Sequence, residues 1–161
     1  MLAAITCIAT MFSLPVGANG YIHIGDGAVL CCAYLLGPLS GSVCASLGSA
    51  LADLLLGYAY YAPATLVIKL LDAAAAGAVF TALRKKAKIP TVVSLSLSGA
   101  CGSVIMIAGY FLHSLWLLGD TLSAALTSIL PNSMQALTGI VLSTLLYKMI
   151  KSHQPLAKHF E

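Results

Sequence analysis

Three ionisable side chains stand inside runs that are otherwise apolar: Asp53, and Lys69 with Asp72 three residues on. A charge in such surroundings is costly unless it is paired or faces a wet cavity. The i, i+3 spacing puts Lys69 and Asp72 on one helical face, and Asp53 is near enough in sequence to meet Lys69 across a short turn. A buried charge pair joining the two segments is one reading, and direct contact with a ligand is the other. His23 and Asp26 form an H-x-x-D pair that suggests a metal or acid–base couple, although the pattern is common. Asp26 equally suits the cap of the segment it opens, and His23 a hydrogen bond in a pocket. Tyr110 with His113, and Asn132 with Gln135, share faces at the same spacing. Two inward amides on one helix suit the polar edge of a heterocycle. Tyr58, Tyr60, Tyr61, Tyr110 and Trp116 either form an interfacial aromatic belt or stack on a planar ligand.

The elements that position these groups follow from composition. Of 161 residues, 60% are hydrophobic and 8% charged, too much apolar surface for a water-soluble core. A bilayer must be the solvent. No linker or low-complexity tract divides the chain, so residues 1–161 are read as a single membrane domain. Breaks at Pro15 to Asp26, Gly37 to Gly41, Gly57 to Pro63, Arg84 to Pro90 and Gly119 to Pro131 leave about six apolar segments. They run approximately 1–14, 27–36, 40–56, 64–83, 91–118 and 132–150. The first lacks the basic n-region of a secretory signal and is read as a short membrane helix; the second is also short for a crossing. Pro131 suits the first turn of the last. The expected fold is an all-α membrane protein, a compact bundle of six transmembrane helices.

Basic residues set the orientation. "RKKAK" at 84–88 and "KMIK" at 148–151 fall on one side of six crossings, which makes both termini cytoplasmic. The opposite side receives three loops poor in Lys and Arg but rich in aromatic and hydrogen-bonding groups. Lys69 and Asp72 then lie about 8 Å and 12 Å below the outer end of their helix. Small residues at Gly37, Gly41, Ala45 and Ser49, with Gly48 and Ala52 beside them, form a smooth stripe, as do Ala73 with Gly77 and Ser98 with Gly102. Close helix approach is expected there, within the chain or against another membrane subunit. The five cysteines lack metal-ligand spacing and are read as reduced apolar residues.

No G-x-x-x-x-G-K-[ST] loop, nucleophile elbow or zinc signature occurs. A motor would therefore come from another chain, and neither enzyme chemistry nor a cofactor is expected.

Several motifs taken together carry a resemblance: Gly25-Asp26; Leu35-Leu-Gly-Pro38; Gly48-Ser-Ala-Leu-Ala-Asp-Leu-Leu-x-Gly-Tyr58; Pro63-Ala-Thr-x-x-Ile-Lys69; and Pro131-Asn-x-x-Gln135. Over most of its length the chain resembles the substrate-binding S components of energy-coupling-factor (ECF) vitamin importers. The resemblance implies a six-helix bundle that captures a vitamin or precursor on its outer side. It also implies a transmembrane coupling subunit and two cytoplasmic ABC ATPases as partners, release by toppling, and a bacterial cytoplasmic membrane. Carried over to this sequence, the ligand residues are Asn19, Tyr21, His23, Tyr60, Lys69, Tyr110, His113, Asn132 and Gln135. The first helix departs from the family's Ala-x-x-x-Ala docking spacing, offering Ala3-x-x-x-Cys7 and Ala9-x-x-x-Ser13 instead.

Several Tyr, two His, an Asn/Gln pair and few free cations favour a compact neutral heterocycle such as pyridoxine or hydroxymethylpyrimidine over polyanionic folate. Riboflavin and thiamine remain compatible, because fold and cargo separate readily. Two other classes stand beside this one: a small-solute carrier or channel that works alone, and a membrane enzyme using His23 and Asp26.

Overall fold

The structure, a computed structural model, describes residues 1–15, 21–85 and 89–153. The expected first helix is shorter than 1–14. Helix α1 covers Leu2–Met11, and the chain then extends into β1, Ser13–Pro15, which pairs antiparallel with β2, Tyr21–His23. Helix α2, Gly25–Leu55, joins the expected second and third segments into one element interrupted at Gly37, whose φ of 80° and ψ of 179° are not helical. Pro38 follows, and with no amide hydrogen it cannot rejoin the ladder. A Cβ at Gly41 would collide with the Cys32 carbonyl and with Ala33 Cα. Residues eight and nine apart would be well separated in a continuous helix, so the chain reverses at Gly37 and residues 25–36 pack against 38–55. The expected break is therefore real but one residue wide.

Helix α2 ends in a Schellman motif. Gly57, at φ 85°, follows the cap; the Tyr58 N–H reaches the Asp53 carbonyl at 2.8 Å and the Gly57 N–H reaches that of Leu54 at 3.3 Å. Helix α3 (Ala62–Lys85) runs back with Pro63 in its first turn, and α4 (Thr91–Leu112) returns. A π turn, His113–Leu117, extends α4. The stretch expected as a loop before Pro131 contains a short helix, α5 (Leu122–Thr127), started by Thr121, whose Oγ1 accepts from the Ala124 N–H. Helix α6, Ile129–Ser152, begins three residues before the expected Asn132 and carries Pro131 in its first turn.

Four stretches are long and apolar enough to cross a membrane: Gly25–Leu55, Ala62–Lys85, Thr91–Leu117 and Leu122–Ser152. Their side chains are distributed as a bilayer demands. Leu47, Leu51, Leu54, Val67, Leu71, Val104, Leu137 and Val141 point outward, while Ser42, Ser46, Ser49, Ser94, Ser98, Ser103 and Ser143 are buried. Several of these serines satisfy themselves on their own helix, as Ser98 does on the Ser94 and Leu95 carbonyls, and so permit close approach without an unpaired hydroxyl. Of the expected stripe, Gly41, Ala45, Gly48, Ser49 and Ala52 are buried and Gly37 is half-buried; Ala73, Gly77, Ser98 and Gly102 are buried too.

The apolar core lies away from the β1–β2 hairpin, around Leu30, Tyr34, Ala73, Phe80 and Leu95. Tyr34 is clamped between the rings of Phe80 at 5.0 Å and Tyr147 at 6.2 Å, and its hydroxyl donates to the Leu95 carbonyl at 2.9 Å. Polar chemistry is left to the hairpin end.

Candidate functional site

Three helix faces converge beneath the hairpin. Thr65, Lys69 and Asp72 on α3, with Tyr61 in the turn just before it, fall at steps of four, four and three; on α4 and its π turn, Met106, Tyr110 and His113 fall at steps of four and three. Helix α6 contributes Gln135. The start of α2 adds Asp26, close to α6 because Gly139 leaves no room for a Cβ against it.

Lys69 is the centre. Its side chain is fully buried, and its ammonium is ion-paired with Asp26, with the second carboxylate, Asp72, at 3.9 Å. This corrects the expected Asp53–Lys69 pair: Asp53 is buried near the end of the other half of α2, whereas Lys69 reaches the beginning of that helix. It also corrects the capping reading of Asp26. Ile24 is the N-cap of α2, no side chain caps the helix, and both Asp26 oxygens turn inward. Oδ1 takes the ammonium, and Oδ2 accepts from Gln135 Nε2 at 2.8 Å. The Gln135 Oε1 in turn accepts the His23 N–H at 3.3 Å, which ties β2 to α6. Met106 Sδ lies 2.9 Å from the ammonium and the Tyr110 ring centroid 5.6 Å from it, so an apolar wall and a π face complete the enclosure.

His23 is buried, and its Nδ1 accepts from the Gly25 N–H at 3.0 Å. Burial pushes its imidazole down from 6.5 to about 4; Asp26 opposes that shift and Lys69 adds to it. The ring is therefore neutral near pH 7. Above the charge cluster, Thr65 Oγ1 and the Tyr110 hydroxyl are 3.2 Å apart. Tyr61 packs at 4.9 Å on His113 and at 4.8 Å on Tyr60. His113 is 5% exposed, and among the described residues its Nδ1 has no hydrogen-bond partner. The π turn that starts at His113 is braced by Ser114 Oγ, which donates to Asp120 Oδ2 at 2.5 Å.

Of the residues anticipated from sequence, His23, Lys69, Tyr110 and Gln135 meet in this cluster, and His113 stands beside it. Tyr60 is 60% exposed and packs on Tyr61. Asn132 is half-buried in the first turn of α6, one turn from Gln135. Asn19 lies outside the described residues, as does the side chain of Tyr21; the backbone of Tyr21 pairs with Pro15. Thr65 and Met106 were not anticipated from sequence, and Tyr61 only as one of the aromatic group. The face rule that linked Lys69 to Asp72 would have found Thr65 had it been extended one turn backwards.

A family model described as ECF-type riboflavin transporter, S component, matches residues 1–152. A protein of Pyrococcus woesei described as an uncharacterized protein in a gap 3′ region is 30% identical over 140 residues, covering 86% of this chain and 88% of the relative.

Proposed function

The chain belongs to the S components of ECF-type riboflavin transporters, and from that premise we propose that it is the capture subunit of an ECF-type importer of a neutral, planar heterocyclic vitamin. S components are vitamin-binding transporter subunits, and the apolar helices place this one in a membrane. The observation that carries the reading is the compensated cluster of Asp26, Lys69 and Gln135 beneath Tyr61 and His113. Lys69 is already matched by carboxylates, so a polyanion gains little from it. A neutral ring can stack on the aromatic group and take the unused His113 Nδ1.

Riboflavin, for which the family is named, is the first cargo to test. Pyridoxine and hydroxymethylpyrimidine come next, because the close packing of Asp26, Lys69, Met106 and Gln135 favours a compact ring with a polar edge. His23, Lys69, Tyr110, His113 and Gln135 form the site, with Tyr60 and Asn132 at its mouth, and the family resemblance adds Asn19 and Tyr21 as ligand residues. The chain crosses the cytoplasmic membrane six times with both termini inside, which the reversal at Gly37 and the basic ends of α3 and α6 support. A coupling subunit and two ABC ATPases then topple the loaded subunit and release the vitamin inward.

Riboflavin fluorescence reports the binding step. Titrating purified chain in detergent should quench the flavin at a stoichiometry near one, and Tyr61→Ala should weaken capture about tenfold or more, the scale of one lost aromatic contact in a desolvated site. Tyr60→Ala should weaken it less. Failure to bind riboflavin, pyridoxine or hydroxymethylpyrimidine would remove the capture reading.

A further inference from the structure

Charge is unevenly divided between the two ends of the bundle. Among the described residues, the hairpin half holds the carboxylates Asp26, Asp53, Asp72 and Asp120 with Lys69 as its one Lys or Arg, while Arg84, Lys85, Lys148 and Lys151 stand in the last turns of α3 and α6. Lys69 is ion-paired with Asp26 and has Asp72 beside it. Asp120 stands apart from that cluster, at the edge of the aromatic group. Gly119, at φ 70°, turns the chain back over the π turn. The Asp120 N–H then reaches the Ser114 carbonyl at 3.1 Å, and its Oδ2 accepts the Ser114 hydroxyl at 2.5 Å. These two bonds hold a half-buried carboxylate next to the residue that follows His113. Its charge is felt in the aromatic group, because the Tyr61 hydroxyl is held above its usual range by burial first, then by Tyr60, Asp120 and Asp53. His113, buried and packed on Tyr61 with its Nδ1 unpartnered, marks where a ligand atom would dock.

We propose that Asp120 determines which form of the vitamin is captured: its carboxylate admits the unphosphorylated compound and turns away the phosphate monoester of the same compound. The inference rests on the capture reading above and adds a discrimination to it. A phosphate monoester carries close to two negative charges near pH 7. Docking on Tyr61 and His113 would bring those charges towards Asp120, and Lys69, the ammonium that could offset them, is already matched by Asp26. Like charges brought together in a partly desolvated contact oppose binding strongly. A neutral ring meets no such opposition. Because Asp120 is half-buried, its field is weaker at high salt than that of an enclosed charge. Discrimination by charge therefore carries a signature that discrimination by size does not.

Calorimetric titration of the full chain in detergent tests this, pairing each of riboflavin, pyridoxine and hydroxymethylpyrimidine that binds with its own phosphate monoester. The expected result is a preference of about tenfold or more for the unphosphorylated member at low salt, shrinking by about threefold or more in 0.5 M NaCl. Asp120→Asn, which keeps an acceptor for Ser114, should shrink the preference at low salt by a similar factor. Asp120→Glu should keep it, and so should Lys85→Gln, which alters a charge at the far end of the bundle. Thermal midpoints show that each variant is folded. Equal binding of both members by the wild-type chain would overturn the proposal. A preference that neither salt nor folded Asp120→Asn relaxes would overturn it too, and would mean that the ester is excluded by size. If no unphosphorylated compound binds, the capture reading itself fails and this inference falls with it.

Discussion

Lys69 shows how one residue sets the terms for its surroundings. A fully buried ammonium must find carboxylates, and the two it finds are not equivalent. Asp26 is bonded through both oxygens, to Lys69 and Gln135, whereas Asp72 sits 3.9 Å away and its Oδ1 is buried without a partner among the described residues. Asp26→Asn should therefore destabilise the protein by about 3–5 kcal/mol, the usual cost of stranding a buried charge, and Asp72→Asn by clearly less. Thermal unfolding in detergent ranks the two, and equal losses would contradict the assignment. Combining Asp26→Asn with Lys69→Met should cost less than the sum of the single changes, since neither charge is then left alone. His23 supplies a pH test. Its folded pKa of about 4 is below the 6.5 of an exposed imidazole, so the stability it contributes is complete above pH 6.5 and is lost as pH falls towards 4. The loss should reach about 2 kcal/mol at pH 5, and the difference between wild type and His23→Gln should show it. A pH-independent difference would mean that the ring is not buried in its neutral form.

At the scale of elements, glycines decide where helices turn and touch. Gly37 holds a positive φ at the reversal in α2, a conformation that an L side chain adopts only with strain. Gly37→Ala should cost about 1–2 kcal/mol. Gly41→Val should cost more, because its side chain would meet the backbone at Cys32 and Ala33. Measured midpoints in the reverse order would argue against the doubled-back packing. Both positions were legible in sequence, one as a Gly-Pro break and the other as part of a small-residue stripe. The width of the break was not, because a Gly-Pro pair marks a corner without saying how few residues make it. The β1–β2 hairpin escaped notice since three-residue strands carry no usable alternation. Helix α5 escaped because its leucines fell between Gly119 and Pro131, although Thr121 three residues before Ala124 was a readable cap. The partner of Lys69 escaped for a different reason. Periodicity reports which residues share a face, and Lys69 with Asp72 followed from it, but Asp26 is 43 residues away and only packing brings it near.

For the whole molecule, the arrangement is an inside-out protein with two polar ends. The hairpin end gathers a charge-compensated, aromatic-topped cluster, and the far end gathers the basic residues Arg84, Lys148 and Lys151. Between them, the aromatic core of Tyr34, Phe80 and Tyr147 gives the bundle a rigid middle. Family membership and the division of the bundle lead to the same expectation, a subunit that captures but does not transport alone. The most direct test is to reconstitute the purified chain alone into liposomes and follow labelled riboflavin, pyridoxine and hydroxymethylpyrimidine with time. The account predicts that one of them binds at about one per chain and then stops, with accumulation only after a coupling subunit, two ABC ATPases and ATP are added. Sustained uptake by the chain alone would contradict it and make the protein a carrier in its own right.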